Sequence, residues 1–385
     1  MSYTALYRKY RSQTFDEIVG QKHIVTSLKN QIAFNQVGHA YLFTGTRGTG
    51  KTSIAKIFAK AINCEHSKNG NPCNKCPTCL SITNGTNVDV MEIDAASNNR
   101  VDEIRELREK VKYPPVNCKY KVYIIDEVHM LTDSAFNALL KTLEEPPQYV
   151  VFILATTEVQ KLPATILSRC LRFDFKLLTE EELEKHLKYI FDDSKIKYEP
   201  EALPLLAKLG TGSVRDTLSV ADMCVAYSGR NVTYSSVIEA VGMTDRKTLK
   251  AISKCLLEGN QGELLSTINS VVALGKNIIQ IAKDLVGFTR DILIVKACKD
   301  YKKILKLSSD QLSDLEELAK ITTSEKLIEI LTKLSSLDNE FRYSSNPRNL
   351  LEITLVSLCN FEMTELNELK MQVKLLEKKL GKDNK

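Results

Sequence analysis

The stretch AYLFTGTRGTGKTSIAKIFAKAI, residues 40–62, decides the fold of the N-terminal part of the chain. The mainly apolar run Ala40–Thr44 predicts a buried strand, and Ile54–Ile62 has helical periodicity. The segment between them, Gly45–Thr52, fits the pattern G-x-x-x-x-G-K-[ST]. The alternative is a chance match in a strand–turn–helix unit, which the correct context disfavours. We therefore predict a phosphate-binding loop here.

Each part of this loop has a physical role in holding a nucleoside triphosphate. Its glycines let backbone N–H groups curl around phosphate oxygens, and the helix N-terminus adds partial positive charge. Lys51 would neutralise the β- and γ-phosphates, and the Thr52 hydroxyl would ligate Mg²⁺. We expect Lys51 to be exposed at this end of the helix. The predicted nucleotide-binding residues of the loop are Gly45, Thr46, Arg47, Gly48, Thr49, Gly50, Lys51, Thr52 and Ser53.

Further apolar runs continue the strand pattern. They are Asp89–Ile93, Lys121–Ile125 and Val150–Ala155, and a helical pattern such as Val101–Val111 lies between two of them. This alternation predicts a doubly wound α/β domain with a parallel sheet. From Leu178 onward the strand signals stop and helical periodicity continues.

Turn residues divide the helical part of the chain. Thr179 and the three glutamates after it predict a helix N-cap with an acidic first turn, and a new helix is predicted after Gly242. The predicted organisation is an α/β domain at 1–178 with a cysteine-containing insert at 64–79, a small helical domain at 179–243, a second helical domain at 244–362 and a helical tail at 363–385.

The tail carries a heptad seam of two heptads, too short for a stable coiled coil alone. We expect its helix to pack on the preceding domain, and an oligomer contact is the alternative. The seam consists of Leu366, Leu369, Val373, Leu376 and Leu380.

The composition is that of an ordinary globular protein. The 385 residues are 43% hydrophobic and 26% charged, and the net charge is +5. No apolar run approaches the roughly 18 residues of a membrane span, and the N-terminus lacks the apolar region of a secretory signal, so we expect a cytoplasmic protein. A charge this mild predicts that any contact with DNA uses a local surface or is shared with other subunits.

Two carboxylates end the strand in KVYIIDEV, residues 121–128. Asp126 is placed to hold the water shell of Mg²⁺, and Glu127 to polarise an attacking water. A plain helix N-cap pair is the alternative, which the upstream phosphate-binding loop disfavours. Thr157 ends the next strand and would bond the γ-phosphate or the water, although Thr is common in strands. We expect His129 to be structural.

Two arginines are candidates for stabilising charge on a γ-phosphate. Arg169 follows a short helix after the last long strand and would act in its own subunit or in a neighbour's site. Arg215, in GSVRD, would couple the small helical domain to the nucleotide. An ordinary surface arginine is the alternative for Arg169 when it is taken alone.

The four cysteines Cys64, Cys73, Cys76 and Cys79 are spaced C-x8-C-x2-C-x2-C. Thiolates this close converge on a tetrahedral Zn²⁺, and four protein ligands make the site structural and not catalytic. An iron–sulfur cluster or redox thiols are the alternatives.

The loop Ser97, Asn98, Asn99 and Arg100 is a candidate for contact with DNA, since the helix after it would present N-terminal amides to a phosphate. A solvated polar loop is the alternative.

These motifs together resemble the gamma/tau subunits of the bacterial DNA polymerase III clamp loader. The resemblance covers residues 1 to about 240 with every motif in order, and it continues more weakly through the helical C-terminal part. It rests on GTRGTGKTSIAK, the cysteine insert, IIDEVHML, NALLKTLEEPP, LATTEVQKLPATILSRC and GSVRD.

The resemblance implies an AAA+ ATPase domain with a parallel sheet, a helical lid and an all-α collar that oligomerises. It implies a ring with delta, delta-prime and further copies of the chain, which uses ATP to load a sliding clamp onto primed DNA. Asp126 and Glu127 would form Walker B, Thr157 sensor 1 and Arg215 sensor 2, and Arg169 would act on the neighbouring subunit's ATP. The segment that covers adenine would include Tyr7, Arg11 and Val19.

The sequence departs from the family pattern in two places. Ser12 stands where a proline is usual, and the chain ends near the end of the collar, so it is expected to be gamma-like. Two other functions are possible alternatives: an inactive ring subunit, which the intact Lys51 and Glu127 disfavour, and an AAA+ helicase motor, which would require a winged-helix domain after residue 244. No polymerase constellation of carboxylates is present in the sequence.

Overall fold

The computed structural model describes residues 4–97, 101–305, 307 and 309–359. These residues fall into two compact units that divide between Val237 and Ile238. The candidate DNA-contacting residues Asn98, Asn99 and Arg100 lie outside the described residues, as does the heptad seam of the tail.

A parallel sheet forms the centre of the first unit. Its strands lie in the order β2-β3-β4-β1-β5 and are all parallel. The doubly wound α/β class predicted from the sequence is therefore confirmed. The strands are β1 (Ala40–Thr44), β2 (Val90–Asp94), β3 (Lys121–Asp126), β4 (Val150–Thr156) and β5 (Leu171–Asp174).

The sequence did not predict strand β5. It lies at the edge of the sheet, where Leu171 is 48% exposed and Arg172 is also exposed. Three of its four residues are exposed, so it lacks the apolar run that identified β1, β3 and β4.

The helices of the first unit cover both faces of the sheet and continue into a small helical region. They are α1 (Leu6–Lys9), α2 (Lys22–Ala33), α3 (Lys51–Asn63), α4 (Pro77–Asn84), α5 (Val101–Val111), α6 (Asp133–Glu144), α7 (Ala164–Leu167), α8 (Glu180–Asp193), α9 (Ala202–Leu209), α10 (Val214–Ser228) and α11 (Tyr234–Val241), the last of which spans the division between the units.

Successive residues of β1 face opposite apolar layers. Leu42 lies in a buried cluster with Phe136 of α6. Phe43 lies in the other cluster, with Phe58 of α3. Because strand side chains alternate in direction, this division shows that the sheet is covered on both faces. The burial holds β1 and α3 in place, and with them the loop that joins them.

The helical region after the sheet begins as the sequence predicts. Thr179 caps α8, and its hydroxyl and the Glu182 carboxylate form a capping box. A two-residue ribbon, β6 (Lys197–Tyr198) paired with β7 (Asn231–Val232), interrupts the helices.

The second unit is helical throughout its described residues. Leu285 and Phe288 of α14 share one buried core with Leu315, Ile330 and Leu334. No helix in the described part of either unit is both long enough and apolar enough to span a bilayer. The helices of the second unit are α12 (Arg246–Glu258), α13 (Gln261–Ala273), α14 (Ile278–Ala297), α15 (Tyr301–Leu305), α16 (Ser309–Lys320), α17 (Ser324–Glu340) and α18 (Pro347–Cys359).

Candidate nucleotide-binding site and cysteine cluster

The predicted phosphate-binding loop joins the end of β1 to the start of α3. Gly45 has φ 145° and Gly48 has φ 75°, a backbone region that L side chains rarely adopt. A Cβ atom on Gly45 would lie 2.6 Å from the carbonyl oxygen of Phe175, so only glycine fits there. The loop therefore has the strand–turn–helix context that the motif predicted.

Lys51 is buried, with 5% of its surface exposed, so the expectation that it is exposed was wrong. Its ammonium group donates to the carbonyl oxygens of Gly45 at 2.7 Å and Thr46 at 2.9 Å. Desolvation lowers the pKa of Lys51, and the negative charges of Glu127 and Asp126 oppose that shift. A phosphate entering the loop would meet a cation that the loop already holds in place.

The carboxyl ends of β1, β3 and β4 bring the other predicted residues together. The Thr52 hydroxyl donates to the Asp126 carboxylate at 2.6 Å, which joins the two proposed magnesium-site residues. The Glu127 carboxylate accepts from the Thr157 amide at 3.3 Å and from the Thr157 hydroxyl at 3.1 Å. Glu127 itself has a left-handed backbone with φ 47°, uncommon for a residue other than glycine. All these groups lie at the carboxyl end of the parallel sheet.

His129 also belongs to this arrangement, although the sequence indicated only a structural role. Its Nδ1 lies 3.0 Å from the Thr156 hydroxyl and 3.4 Å from the Glu127 carboxylate, and its Nε2 lies 3.3 Å from Glu158. Its side chain is only 7% exposed. The position of His129 two residues after Glu127 is the one sequence signal that could have indicated this contact.

The N-terminal segment lies against the loop and helix α10. The Arg11 guanidinium donates to the Ser53 hydroxyl at 3.2 Å. The Arg215 guanidinium carbon lies 5.5 Å from the centre of the Tyr7 ring. Val19 is partly buried in the same segment. The structure thus places Tyr7 and Arg11, two of the three residues predicted to cover adenine, beside the predicted nucleotide site.

Arg169 is separate from the loop of its own chain. It precedes β5, whose Leu171 pairs with Tyr41 of β1, so Arg169 lies level with His39 at the amino end of the sheet. Gly45 is six residues further along the strand direction, or roughly 20 Å at about 3.3 Å per residue. The Arg169 guanidinium forms an ion pair with Glu144 at 2.7 Å. Arg169 cannot reach its own loop from this position.

The four predicted metal-ligating cysteines converge. Their sulfur atoms all lie within 4.8 Å of one another. A Zn²⁺ with Zn–S bonds of about 2.3 Å holds thiolates about 3.8 Å apart in a tetrahedron, so these residues fit zinc. The cluster consists of Cys64, Cys73, Cys76 and Cys79.

Backbone amides orient the thiols of this cluster. The amides of Lys75 and Cys76 donate to the Cys73 sulfur at 3.4 and 3.3 Å, and they lower the pKa of the Cys73 thiol to about 6. Burial raises the pKa of the Cys64 and Cys79 thiols. Amide donors to sulfur are typical of a preformed thiolate site.

The described part of the candidate DNA loop shows only a local contact. The Ser97 hydroxyl donates to the Asp94 carboxylate at 3.3 Å. The interaction of this loop with DNA stays a prediction.

Three family models match the chain. They are "DNA polymerase III, delta subunit" at residues 20–179, "DNA polymerase III clamp loader subunit, ATPase lid domain" at 182–230, and "DNA polymerase III subunits gamma and tau domain III" at 232–373.

Two solved structures align with this chain at low sequence identity. The Thermotoga maritima RuvB Holliday junction branch migration motor aligns at 17% identity with a TM-score of 0.45, covering 78% of this chain and 99% of that one. A Bacillus subtilis clamp loader delta protein aligns at 15% identity with a TM-score of 0.37, covering 87% of this chain and 99% of that one.

The curated relatives are much closer in sequence. The DNA polymerase III tau subunit of Bacillus subtilis is 43% identical over 93% of this chain and 64% of its own length, and that of Escherichia coli is 44% identical over 77% and 46%. The chain thus spans about two thirds or less of these tau proteins. A DNA polymerase III gamma subunit of Buchnera aphidicola is 41% identical and is covered over 83% of its length by 79% of this chain. The chain therefore belongs to the gamma/tau family of DNA polymerase III subunits.

Proposed function

We propose that this chain is an ATP-hydrolysing subunit of a bacterial clamp loader. It binds ATP with Mg²⁺ and, together with partner subunits, opens a sliding clamp and loads it onto primed DNA. One observation carries the proposal: Lys51, the Thr52–Asp126 pair and the Glu127–Thr157 pair converge at the carboxyl end of the sheet.

Each of these residues has a role in the proposed hydrolysis. Bound Mg²⁺ would neutralise charge on the phosphates, and Thr52 and Asp126 would hold it. Lys51 would bind the β- and γ-phosphates. Glu127 would orient the attacking water and accept its proton, and Thr157 fixes the Glu127 carboxylate through two hydrogen bonds.

The small helical region would sense the nucleotide through Arg215. The Val214 amide donates to the carbonyl oxygen of Gly48 at 3.1 Å, so α10 begins directly on the phosphate-binding loop. In this proposal Tyr7, Arg11 and Val19 cover the adenine, and the N-terminal segment closes the site.

Arg169 would act in the site of a neighbouring subunit. It lies at the opposite end of the sheet from its own loop, which supports a role across an interface. The proposed ring contains delta and delta-prime subunits and further copies of this chain, and it acts on a sliding clamp and primed DNA in the cytoplasm. Zn²⁺ on the four cysteines would have a structural role.

The alternative of an AAA+ helicase motor has no specific support. It would require a winged-helix domain with strands after residue 244, whereas the described residues between 244 and 359 form helices only. An inactive ring subunit would not need the complete set of Lys51, Asp126 and Glu127.

The proposal is tested by reconstitution. The chain is assembled with delta, delta-prime and the clamp, and loading onto primed circular DNA is measured with ATP. We expect loading by the wild-type complex and none by a complex that contains Lys51→Ala. The control variant Lys188→Ala removes an exposed lysine of α8 and should load normally. Normal loading by the Lys51→Ala complex, in which every copy of this chain carries the substitution, would contradict the proposal.

A further inference from the structure

A buried lysine outside the phosphate-binding loop connects three parts of the first unit. Lys60, near the end of α3, is 2% exposed. Its ammonium group donates to the side-chain oxygen of Gln13 at 2.8 Å, to the backbone oxygen of Gln13 at 3.2 Å and to the side-chain oxygen of Asn74 at 2.7 Å. These three oxygens come from two segments that are far apart in sequence.

One of these segments is the cysteine insert. Asn74 lies between the ligand candidates Cys73 and Cys76, and it has a left-handed backbone with φ 55°. The side-chain nitrogen of Asn74 also donates to the Gln13 backbone oxygen at 3.2 Å. Because Asn74 lies between two of the four cysteines, its position depends on how those cysteines are held together.

A second contact joins the insert to the N-terminal segment. The Asn71 side chain accepts from the Phe15 amide at 2.9 Å and donates to the Asp16 carboxylate at 2.7 Å. Phe15 is buried, with 1% of its surface exposed. The insert thus holds residues 13–16 through hydrogen bonds from two of its side chains, Asn71 and Asn74.

The N-terminal segment continues from there to the nucleotide site. The Gln13 side-chain nitrogen donates to the Arg11 backbone oxygen at 3.0 Å, and the Arg11 guanidinium donates to Ser53, the second residue after Lys51. A continuous hydrogen-bonded path therefore runs from Asn74 through Lys60, Gln13 and Arg11 to the start of α3.

We propose that Lys60 is a positioning residue through which the cysteine insert controls nucleotide affinity. The inference rests on the proposed function, in which Arg11 and its neighbours cover the nucleotide. When metal holds the insert, Asn74 and Gln13 together satisfy the buried ammonium group. When the metal is removed, the insert loosens and Lys60 loses the Asn74 oxygen. A buried cation that loses a hydrogen-bond partner is strongly destabilised, so the Gln13 segment moves and Arg11 leaves Ser53.

The test uses Lys60→Met, which keeps an unbranched side chain, one atom shorter, and removes the ammonium group. The matched control is Lys56→Met, one turn earlier on α3, where the lysine pairs with Glu92 near the surface. Nucleotide affinity and hydrogen exchange of residues 11–17 are measured with and without bound zinc, and zinc content is determined for each variant.

We expect Lys60→Met to weaken nucleotide binding about tenfold and to increase exchange of residues 11–17 while it retains zinc. Removal of zinc from the wild-type chain should have a similar effect, and removal of zinc from Lys60→Met should weaken nucleotide binding no further. Lys56→Met should retain wild-type affinity and its full response to zinc removal. Additive effects of zinc removal and Lys60→Met would overturn the proposal, because residues on one path are not independent.

Two further variants complete the test. Asn74→Gly tolerates the left-handed backbone and removes the side-chain amide, whose oxygen contacts Lys60 and whose nitrogen contacts Gln13. It should therefore reproduce the Lys60→Met effect even if Lys60→Met folds poorly. Arg11→Ala tests the proposed nucleotide contact of the N-terminal segment separately from the role of Lys60. If affinity falls in Arg11→Ala but not in Lys60→Met or Asn74→Gly, the role of Lys60 is wrong and the proposed site stands. If it falls in none of the three, the proposed nucleotide contact of this segment is itself wrong, and the Lys60 proposal fails with it.

Discussion

Gly48, in the phosphate-binding loop, lies directly against Ser213, the N-cap of α10: a Cβ atom on Gly48 would lie 2.0 Å from the Ser213 hydroxyl oxygen. The amide of the next residue, Val214, donates to the Gly48 backbone oxygen at 3.1 Å. The loop and the small helical region are therefore joined by a backbone hydrogen bond beside this close approach. A movement of the loop on binding a phosphate would reach α10 directly.

We predict that Gly48→Ala separates this contact and weakens ATP binding by at least tenfold. The substitution adds a left-handed backbone cost of about 1–2 kcal/mol to the steric conflict with Ser213. Binding is measured by calorimetry, and the contact by hydrogen exchange of the α10 amides. Gly50→Ala is the matched control, because Gly50 also has a positive φ, 103°, but an added Cβ atom meets nothing within 4 Å. Equal loss of α10 protection in both variants would show that the contact with Ser213 is not responsible.

Glu127→Gln is expected to retain ATP binding and to slow hydrolysis by about 10²–10⁴-fold. Glutamine can still accept the two hydrogen bonds from Thr157, but it cannot accept a proton from water. Single-turnover hydrolysis and nucleotide affinity are measured separately. Hydrolysis at the wild-type rate would exclude Glu127 as the base.

Arg169→Ala is expected to retain ATP binding and to lower turnover in the assembled complex by about 10³–10⁵-fold. Lys51→Ala has the complementary defect, an impaired loop with an intact Arg169. Mixtures of the two variants should recover hydrolysis at interfaces where an intact loop meets an intact arginine. The measurement is DNA-stimulated ATPase activity over a range of mixing ratios.

Glu144→Gln provides a control for the Arg169 prediction, because it removes the ion pair that holds Arg169 without removing the guanidinium. It should lower turnover less than Arg169→Ala does. If no mixture exceeds the activity of either variant alone, and native mass spectrometry shows that the subunits mixed, Arg169 does not act across an interface.

The cysteine cluster is expected to bind one Zn²⁺ per chain, and Cys73→Ser/Cys76→Ser should abolish this binding. Only thiolates bind zinc, so metal affinity should fall as the pH is lowered and protons compete for the sulfurs. Elemental analysis after dialysis at pH 7.5 and at pH 5.5 measures this. A Cys118→Ser/Cys170→Ser variant, which alters two cysteines outside the cluster, should retain its zinc. A wild-type chain with no metal and four freely titrating thiols would contradict the prediction.

His186, on α8, provides a prediction for pH. Burial lowers the pKa of its imidazole below the usual value of 6.5. The unfolded chain therefore binds the proton more tightly than the folded chain does. The contribution of the neutral histidine to the free energy of unfolding is complete above pH 6.5 and is lost as the pH falls below that value. The drop in thermal midpoint of the first unit between pH 7.5 and pH 5.5 should be smaller in His186→Gln than in the wild type. An equal drop in His186→Gln and the wild type would contradict the prediction.

The sequence by itself determined the features that depend on neighbouring residues. The strand β1, the glycine-containing loop and helix α3 follow one another within 40–62, so periodicity and the spacing of Gly45 to Thr52 predicted them together. The four cysteines lie within sixteen residues, and their spacing alone predicted a shared ligand site. The Thr179 cap was equally local. In each case the physical signal lies in a short stretch of chain.

Only the tertiary structure decided which distant residues meet. The sheet order places β4 between β1 and β3 and brings their carboxyl ends to one edge, so Thr52 contacts Asp126 and Glu127 contacts Thr157. Strand β5 is largely exposed and has no apolar run, so no local pattern in the sequence indicated it. The burial of Lys51 and Lys60 was also not apparent in the sequence, because the oxygens that hold each ammonium group come from backbone carbonyls or from segments far along the chain. A lysine can be buried where the fold supplies such partners, and its partners are set by the packing of the whole unit.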